Sequence, residues 1–382
     1  MKKIPLVLIL LAFLLVSCNL PLGGETQIPD STVQTPDPTG QTPESLPTLV
    51  ESTQVATEIV TEQPQSETSK AAPVILFSIG MHVEPFGESM QGYVANNKGD
   101  YADPAFFKLH SNYIRTVADM VAAHGGVMTI QVQSPFTESV IFSNSSILED
   151  LAAMGFEIAL HFHEDAHLGT KSATLSVDKW CEVMREEISL IQMASGVHEV
   201  TYWSGGNLYP RVYQAAACAG LRVNSDWKSP ETQTTDMSLQ GINPWRPSGG
   251  TNGEDFSRIS THDPMGKIIF LPEGQFDRED VMTIKQSEAA GGDEAYFAYL
   301  EQSLMNSLAT ARADEVNVFH FTIHPAEFRG DPAAPFAVLD KFLTEVIDPL
   351  VASGQVQWAT FSQMADTYRT WELENPGFDP RD

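Results

Sequence analysis

From Pro73 onward the sequence alternates short apolar runs with longer amphipathic stretches, and this alternation restricts the fold more than any other feature. The short runs are typical of buried strands, and the amphipathic stretches are typical of helices that cover a sheet. Strands joined by helical crossovers pair in parallel. The predicted strands are Val74–Ile79, Val127–Val132, Phe156–Phe162, Glu199–Trp203, Leu221–Asn224, Lys267–Leu271, Val318–Ile323 and Val356–Thr360. The predicted helices include Phe106–Ala123, Val177–Ala194, Pro210–Ala219, Glu294–Ala311 and Phe336–Ala352.

Roughly 300 residues that contain seven or eight such units favour one barrel over two small domains. We therefore predict an α/β fold, a single distorted barrel of seven or eight β/α units over residues 73–372, with a tail at 373–382. In such a barrel the functional residues gather at the carboxyl ends of the strands.

The amino terminus has the layout of an export signal. Two lysines precede the apolar run Ile4–Val16, which is shorter than the roughly 20 residues of a membrane-spanning helix. Ser17 and Cys18 follow, and the run up to Cys18 resembles a bacterial lipobox. We expect residues 1–18 to be a lipoprotein signal peptide, Cys18 to be lipidated, and the domain to be anchored on the extracytoplasmic side of a membrane. Residues 19–72, rich in Thr, Pro and Ser, are predicted to form a disordered linker.

The chain carries 22 basic and 50 acidic residues, a formal charge of -28. This charge argues against nucleic acid as a partner. Two cysteines remain besides Cys18, at Cys181 and Cys218. The sequence leaves open whether these two form a disulfide or stay as buried thiols.

Polar residues with metal-binding side chains lie at the predicted strand ends. They are His82 and Glu84 after the first strand, His161, His163, Glu164, Asp165 and His167 at and beyond the third, and His320 and His324 at the seventh. Alternation along the third strand puts His161 and His163 on one face, which a barrel turns inward. Imidazole and carboxylate ligands suit zinc or a similar divalent ion, which activates a water molecule for hydrolysis.

The residues at these strand ends resemble the motifs of the NodB-type polysaccharide deacetylases. The run Gly155–His161 is similar to the motif that leads to a metal-binding histidine. The run His82–Pro85 stands at the paired acidic motif, Tyr202–Gly206 at the arginine motif, and Ile323–Pro325 with Glu327 at the last motif. The resemblance covers about residues 73–370 and implies the same barrel.

The resemblance implies a role for each matching residue. Glu84 and His161 would be metal ligands, and His324 would be the general acid. The third ligand would fall at Asp165, although His163 and His167 are close enough in sequence to replace it. The implied cofactor is a divalent metal ion, zinc or alternatively cobalt or nickel.

The chain departs from the family at the catalytic base. The family uses an aspartate oriented by an arginine, and here His82 and Trp203 stand at those two positions. The two changes are consistent with each other, because a carboxylate base needs a cation to keep it ionised and in place, whereas an imidazole base is neutral and does not. Two interpretations stay open: His82 is a working base, or the site keeps its metal without hydrolytic activity.

Three tryptophans near the strand ends, Trp203, Trp227 and Trp245, are candidates for stacking on sugar rings, and Arg246 is a candidate cation for the site. The sequence therefore predicts a metal-dependent deacetylase of N- or O-acetylated polysaccharide at the cell envelope. One alternative is a non-catalytic carbohydrate-binding lipoprotein. Another is a glycoside hydrolase that uses Glu84 and Glu273.

Overall fold

The computed structural model describes residues 72–85, 100–169, 171–206, 209–225, 237–248, 259–276, 292–324 and 333–382. The predicted signal peptide, the lipidation site at Cys18 and the linker up to residue 71 lie outside the described residues. Within the described residues, no helix has the length and apolar character required to span a membrane.

All eight predicted strands are present and belong to one sheet in which every ladder is parallel. They are β1 (Ile75–His82), β2 (Met128–Val132), β3 (Glu157–Phe162), β4 (Tyr202–Gly205), β5 (Val223–Asn224), β6 (Ile269–Phe270), β7 (Asn317–Ile323) and β8 (Val356–Trp358). The order across the sheet is β6-β5-β4-β3-β2-β1-β7, and β8 pairs with the first half of β1.

The sheet curls towards closure between its two edge strands, β6 and β7. Among the described residues no ladder joins these strands. Instead, the backbone N–H of Val318 donates to Ile242 O at 2.7 Å, and that of His320 donates to Glu273 O at 3.1 Å. The architecture is therefore a distorted barrel, which confirms the predicted fold class.

Helices flank the sheet between its strands. They are α1 (Pro104–Ala123), α2 (Phe136–Ser143), α3 (Ile147–Ala153), α4 (Glu164–Leu168), α5 (Val177–Ser195), α6 (Val212–Ala219), α7 (Asp293–Thr310), α8 (Ala333–Phe342), α9 (Asp348–Ala352) and α10 (Phe361–Glu374). A π-helical turn, Leu343–Ile347, joins α8 to α9. The sequence did not predict α2 and α3, because helices of eight and seven residues are too short to establish a helical periodicity.

The two faces of β1 have different neighbours. Ile75, Phe77 and Ile79 belong to the large core between the sheet and the helices. Leu76 faces the barrel interior and packs in a smaller core with residues such as Phe361 at the start of α10. Further along the same inward face come Ser78 and Gly80, and then the polar residues of the site. The apolar layer thus fills the amino-terminal half of the interior and leaves the carboxyl-terminal half polar.

Cys181 on α5 and Cys218 on α6 form a disulfide, with their Cα atoms 5.7 Å apart. The bond joins two helices that also pack against each other. The question that the sequence left open is therefore answered in favour of pairing.

His124, which ends α1, lies between two carboxylates. Its Nδ1 is 2.8 Å from Asp348 and its Nε2 is 3.3 Å from Asp340. Only a protonated imidazole can donate to both. Burial by itself lowers the pKa of His124, but the hydrogen bonds to Asp348 and Asp340 outweigh it and raise the pKa above 6.5.

The raised pKa of His124 predicts a pH-dependent contribution to stability. Because the folded-state pKa is above the unfolded value, the contribution is fully present below pH ~6.5 and is lost as the pH rises through the folded pKa. We expect His124→Gln to lower the free energy of unfolding by about 0.5–1 kcal/mol at pH 5.5 and by less at pH 9. Urea unfolding at the two pH values measures the difference, and an equal loss at both would contradict the charged contact.

Candidate metal centre

The end of β1 directs two metal-binding side chains into the barrel. Met81 and Val83 belong to the helix-facing core, so alternation turns His82 and Glu84 inward. The ladder with β2 holds this segment in place, because the N–H of Val83 donates to Gln131 O at 2.9 Å. His82 and Glu84 therefore lie at the carboxyl end of the sheet.

The third strand contributes His161 and, directly after it, His163. Ile158, Leu160 and Phe162 pack in the helix-facing core, so the two histidines share the inward face, as the alternation predicts. His324 follows β7 in the same way, two residues beyond the inward Thr322.

These side chains meet around the Glu84 carboxylate. Its Oε2 lies 3.7 Å from His161 Nε2 and 3.9 Å from His163 Nε2. Its Oε1 lies 3.4 Å from His324 Nε2. The His82 ring stacks on His161, with centroids 4.1 Å apart, and meets the His324 ring edge-on at 5.1 Å. The structure thus brings together one carboxylate and four imidazoles from three strand ends.

The cluster has a buried floor and an open rim. His82 is 3% exposed and His161 is 6% exposed. The side chains of His324 and His163 are 26% and 31% exposed. A molecule that approaches from solvent therefore meets His163 and His324 first.

The neighbouring imidazoles control the charge of Glu84. Burial raises the pKa of this carboxyl, but the facing imidazoles of His161, His324 and His163 outweigh burial and lower the pKa to about 2. Glu84 is therefore ionised throughout the neutral range and is available as an anionic ligand.

The cluster fits a divalent metal ion. Within the described part of the chain, Glu84 Oε2 and His161 Nε2 are buried and make no hydrogen bond. Their 3.7 Å separation is too long for a hydrogen bond. It is close to the roughly 3.4 Å between two ligand atoms on one tetrahedral zinc ion. One ligand atom each of His82, Glu84 and His324 also lies within 4.8 Å of the other two.

Ser204 on β4 contacts the cluster and was not among the predicted site residues. Its Oγ lies 2.8 Å from His161 Nδ1, because β3 and β4 pair with His161 opposite Ser204. When Nδ1 donates its proton to Ser204, Nε2 presents its lone pair towards Glu84.

This contact gives a prediction for Ser204→Ala. Loss of an outer-shell partner of a ligating histidine typically costs about 10–100-fold in metal affinity. We expect a decrease of that size in zinc affinity, with little change in melting temperature, measured by competition with a fluorescent zinc chelator. An unchanged affinity would show that Ser204 does not orient His161.

His167 lies near the cluster in sequence but is held elsewhere. Its Nε2 is 2.6 Å from Gln133 Oε1, and its Nδ1 is 3.4 Å from a Glu187 carboxylate oxygen. Both ring nitrogens thus face partners, Gln133 directly after β2 and Glu187 on α5, so the position does not support the predicted role as a ligand. Gln133 Oε1 also accepts from the backbone N–H of His163 at 3.0 Å, which fixes the start of α4.

Two other predicted residues cannot be placed. The side chain of Asp165 lies outside the described part of the chain, although its backbone belongs to α4. Trp227 is also outside the described residues.

His320 lies in the middle of β7 and is fully buried. Burial lowers its pKa to about 4, so His320 is a neutral residue of the barrel interior.

The predicted sugar-stacking roles of Trp203 and Trp245 are wrong for this structure, because both side chains are fully buried. Trp203 points to the helix side of the sheet and meets Tyr213 of α6 edge-on. The Trp245 indole donates to Ile259 O at 2.7 Å, and the Arg381 guanidinium covers its ring at 4.1 Å. Neither ring presents a face to a ligand.

Arg246 does not lie at the cluster, so its position does not support the predicted role as a cation there. It makes an ion pair with Glu372 of α10, at 2.8 Å. It lines a cavity of about 400 Å³ together with residues such as Glu157 and Val223, which begin β3 and β5. That cavity is therefore at the amino ends of the strands, opposite the cluster.

Comparisons with known proteins identify the fold. No protein-family model and no curated protein sequence matches the chain. Among solved structures, one similar to this chain is described as a probable polysaccharide deacetylase from Pseudomonas aeruginosa PAO1. It has a TM-score of 0.53 at 14% identity, over 80% of this chain and 93% of that chain. PuuE allantoinase gives a TM-score of 0.52 at 14% identity, over 80% and 93%.

At such identities the similarity concerns the fold and does not fix the reaction. The two neighbours differ in their named activities, so the reaction must be argued from the site. The chain has the fold of the polysaccharide deacetylases, and the resemblance first seen in its strand-end motifs is confirmed at that level.

Proposed function

We propose that this protein is a metal-dependent hydrolase that removes acetyl groups from N- or O-acetylated polysaccharide at the cell envelope. The observation that carries the proposal is the cluster of Glu84 with four imidazoles at the carboxyl ends of β1, β3 and β7. This is the end at which barrels of this type hold their functional residues.

Glu84, His161 and His163 would hold the ion, with zinc favoured and cobalt or nickel as alternatives. When bound, such an ion lowers the pKa of a coordinated water and polarises the acetyl carbonyl. His161 is prepared for ligation by its contact with Ser204, and His163 by the backbone hydrogen bond to Gln133.

His82 and His324 would move the protons. His82, on the buried floor, accepts a proton from the attacking water, and a ring that stacks on His161 is close to the ion's ligands. His324, on the rim, donates a proton to the departing amine or alcohol of the sugar. The two rings meet edge-on, with centroids 5.1 Å apart, so the two proton-transfer groups lie next to each other in the cluster.

The proposed location rests on the amino terminus and the disulfide. The signal-like residues 1–18 and Cys18 favour an exported lipoprotein, and the Cys181–Cys218 bond is typical of an oxidising compartment. An anchored protein of this kind would act on envelope polymers or on glycans that reach the membrane.

A second function is a non-catalytic carbohydrate-binding lipoprotein on the same barrel. It is favoured by the replacement of the family's base by His82 and by the buried position of Trp203, where the family has an arginine. The glycoside hydrolase alternative is weaker, because a Glu84 with a pKa of about 2 cannot serve as a general acid at neutral pH.

Acetate release separates the first two functions. The purified full-length protein, loaded with zinc, cobalt or nickel, is incubated with acetylated chitooligosaccharides and acetylated xylan. We expect acetate in amounts that a chelator abolishes, and the same amounts from a His198→Ala control, which removes an exposed imidazole outside the cluster. Glycan binding without acetate release under all three metals would favour the binding module.

A further inference from the structure

The two oxygens of Glu84 face different sets of imidazoles. Oε2 is directed towards His161 and His163, at 3.7 and 3.9 Å. Oε1 is directed towards His324, at 3.4 Å. One ligand atom each of His82, Glu84 and His324 lies within 4.8 Å of the other two, and the His82 ring also stacks on His161 at 4.1 Å. The Glu84 carboxylate thus belongs to two donor sets.

Both donor sets have the composition of a metal site. Each supplies two imidazole nitrogens and one carboxylate oxygen, the donors that zinc and cobalt prefer. A single ion cannot use both sets fully, since four imidazoles and a carboxylate exceed the four ligands of a tetrahedral zinc site. Carboxylates that bridge two ions about 3.5–4 Å apart are a known arrangement in hydrolytic sites.

We propose that His82, Glu84 and His324 form a second divalent-cation site, which shares the Glu84 carboxylate with the first. This inference rests on the proposed function, in which the first ion is held by Glu84, His161 and His163. The second site takes the same class of borderline transition-metal ion, because its donors are the same.

The second site binds more weakly than the first. One carboxylate charge would have to balance two dications, and like charges so close together repel each other. One of its imidazoles, His324, is also on the partly exposed rim. We therefore expect a dissociation constant at least about tenfold higher than that of the first ion.

Occupancy of the second site regulates the reaction. An ion in the second site would take up a nitrogen lone pair of His82 and one of His324, the two side chains that accept and donate protons in the proposed reaction. A ligated imidazole cannot exchange a proton at that nitrogen. The protein is therefore expected to be active with one ion and inhibited by an excess of the same metal.

The experiment counts bound ions on the untagged, metal-free full-length protein. Cobalt is titrated and followed by its visible absorption, and zinc content after equilibrium dialysis is measured by mass spectrometry. The variants are His161→Gln, which alters the first site only, and His324→Gln, which alters the second only. His198→Gln is the control, because His198 is exposed and outside both sites.

The expected result is two ions per chain in two affinity classes for the unaltered protein and for His198→Gln. His324→Gln keeps the tight ion and loses the weak one, whereas His161→Gln loses the tight one. One ion per chain at every concentration would overturn the second site and leave the proposed function intact. Loss of the tight ion in His324→Gln would overturn the division of the donors, and no bound ion at all would overturn both proposals.

Discussion

Glu84→Gln is expected to remove both metal ions and to lower acetate release by about 10³-fold or more. The carboxylate is the one group that faces all the surrounding imidazoles, and the amide keeps its shape but loses its charge. Loss of an outer-shell partner costs about 10–100-fold in affinity, so loss of a charged ligand costs more. A bound ion typically stabilises the transition state by several kcal/mol, of which about 4 kcal/mol corresponds to 10³-fold in rate.

The Glu84→Gln experiment measures zinc content after dialysis and the rate of acetate release. Glu186→Gln is the matched control, because Glu186 is an exposed carboxylate on α5 and is not one of the residues of the cluster. Far-ultraviolet circular dichroism checks that the variant is folded. A variant that retains tightly bound zinc would show that the ion is held by the imidazoles alone, and the central role of Glu84 would be wrong.

The sequence predicted the sheet and the inward face of its strands well. Hydrophobic runs locate strands because each strand is buried on both faces over most of its length. Alternation then determined that His161 and His163 share a face, since that property depends only on residues within the strand. His82 and Glu84 were identified because they follow the first predicted strand, where a barrel places its functional residues.

Side-chain positions that depend on contacts with residues far away in the sequence could not be predicted from the local pattern of a strand. The strand predicted at Glu199–Trp203 begins three residues later, at Tyr202. Its pairing turns Ser204 towards His161 and Trp203 towards α6. Arg246 is drawn to the opposite end of the barrel by Glu372, a residue 126 positions away.

The closeness of His167 to His163 in sequence was misleading for a local reason. A four-residue spacing places two side chains on one helix face only when both residues are helical. The helix α4 begins at Glu164, so His163 lies before the helix while His167 is in its last turn. His167 consequently turns towards Gln133 and Glu187, whose identity as partners no local pattern reveals.

The second large effect is expected for His82→Gln, which tests whether the site is catalytic at all. General-base catalysis by a positioned side chain typically contributes about 10²–10⁴-fold, and an amide cannot accept the proton. We expect acetate release to fall by about that factor while the tight ion stays bound, because its ligands are Glu84, His161 and His163. Zinc content and acetate release measured on the same preparation separate a lost base from a lost ion.

The comparison of His82→Gln with Glu84→Gln distinguishes the two interpretations that the sequence left open for His82. If His82 is the base, the two variants share a loss of activity but differ in metal content. A His82→Gln protein that keeps both its ion and a rate within about threefold of the unaltered protein would exclude His82 as the base. The proton acceptor would then have to be His324, the partly exposed imidazole of the described cluster that is not a ligand of the tight ion.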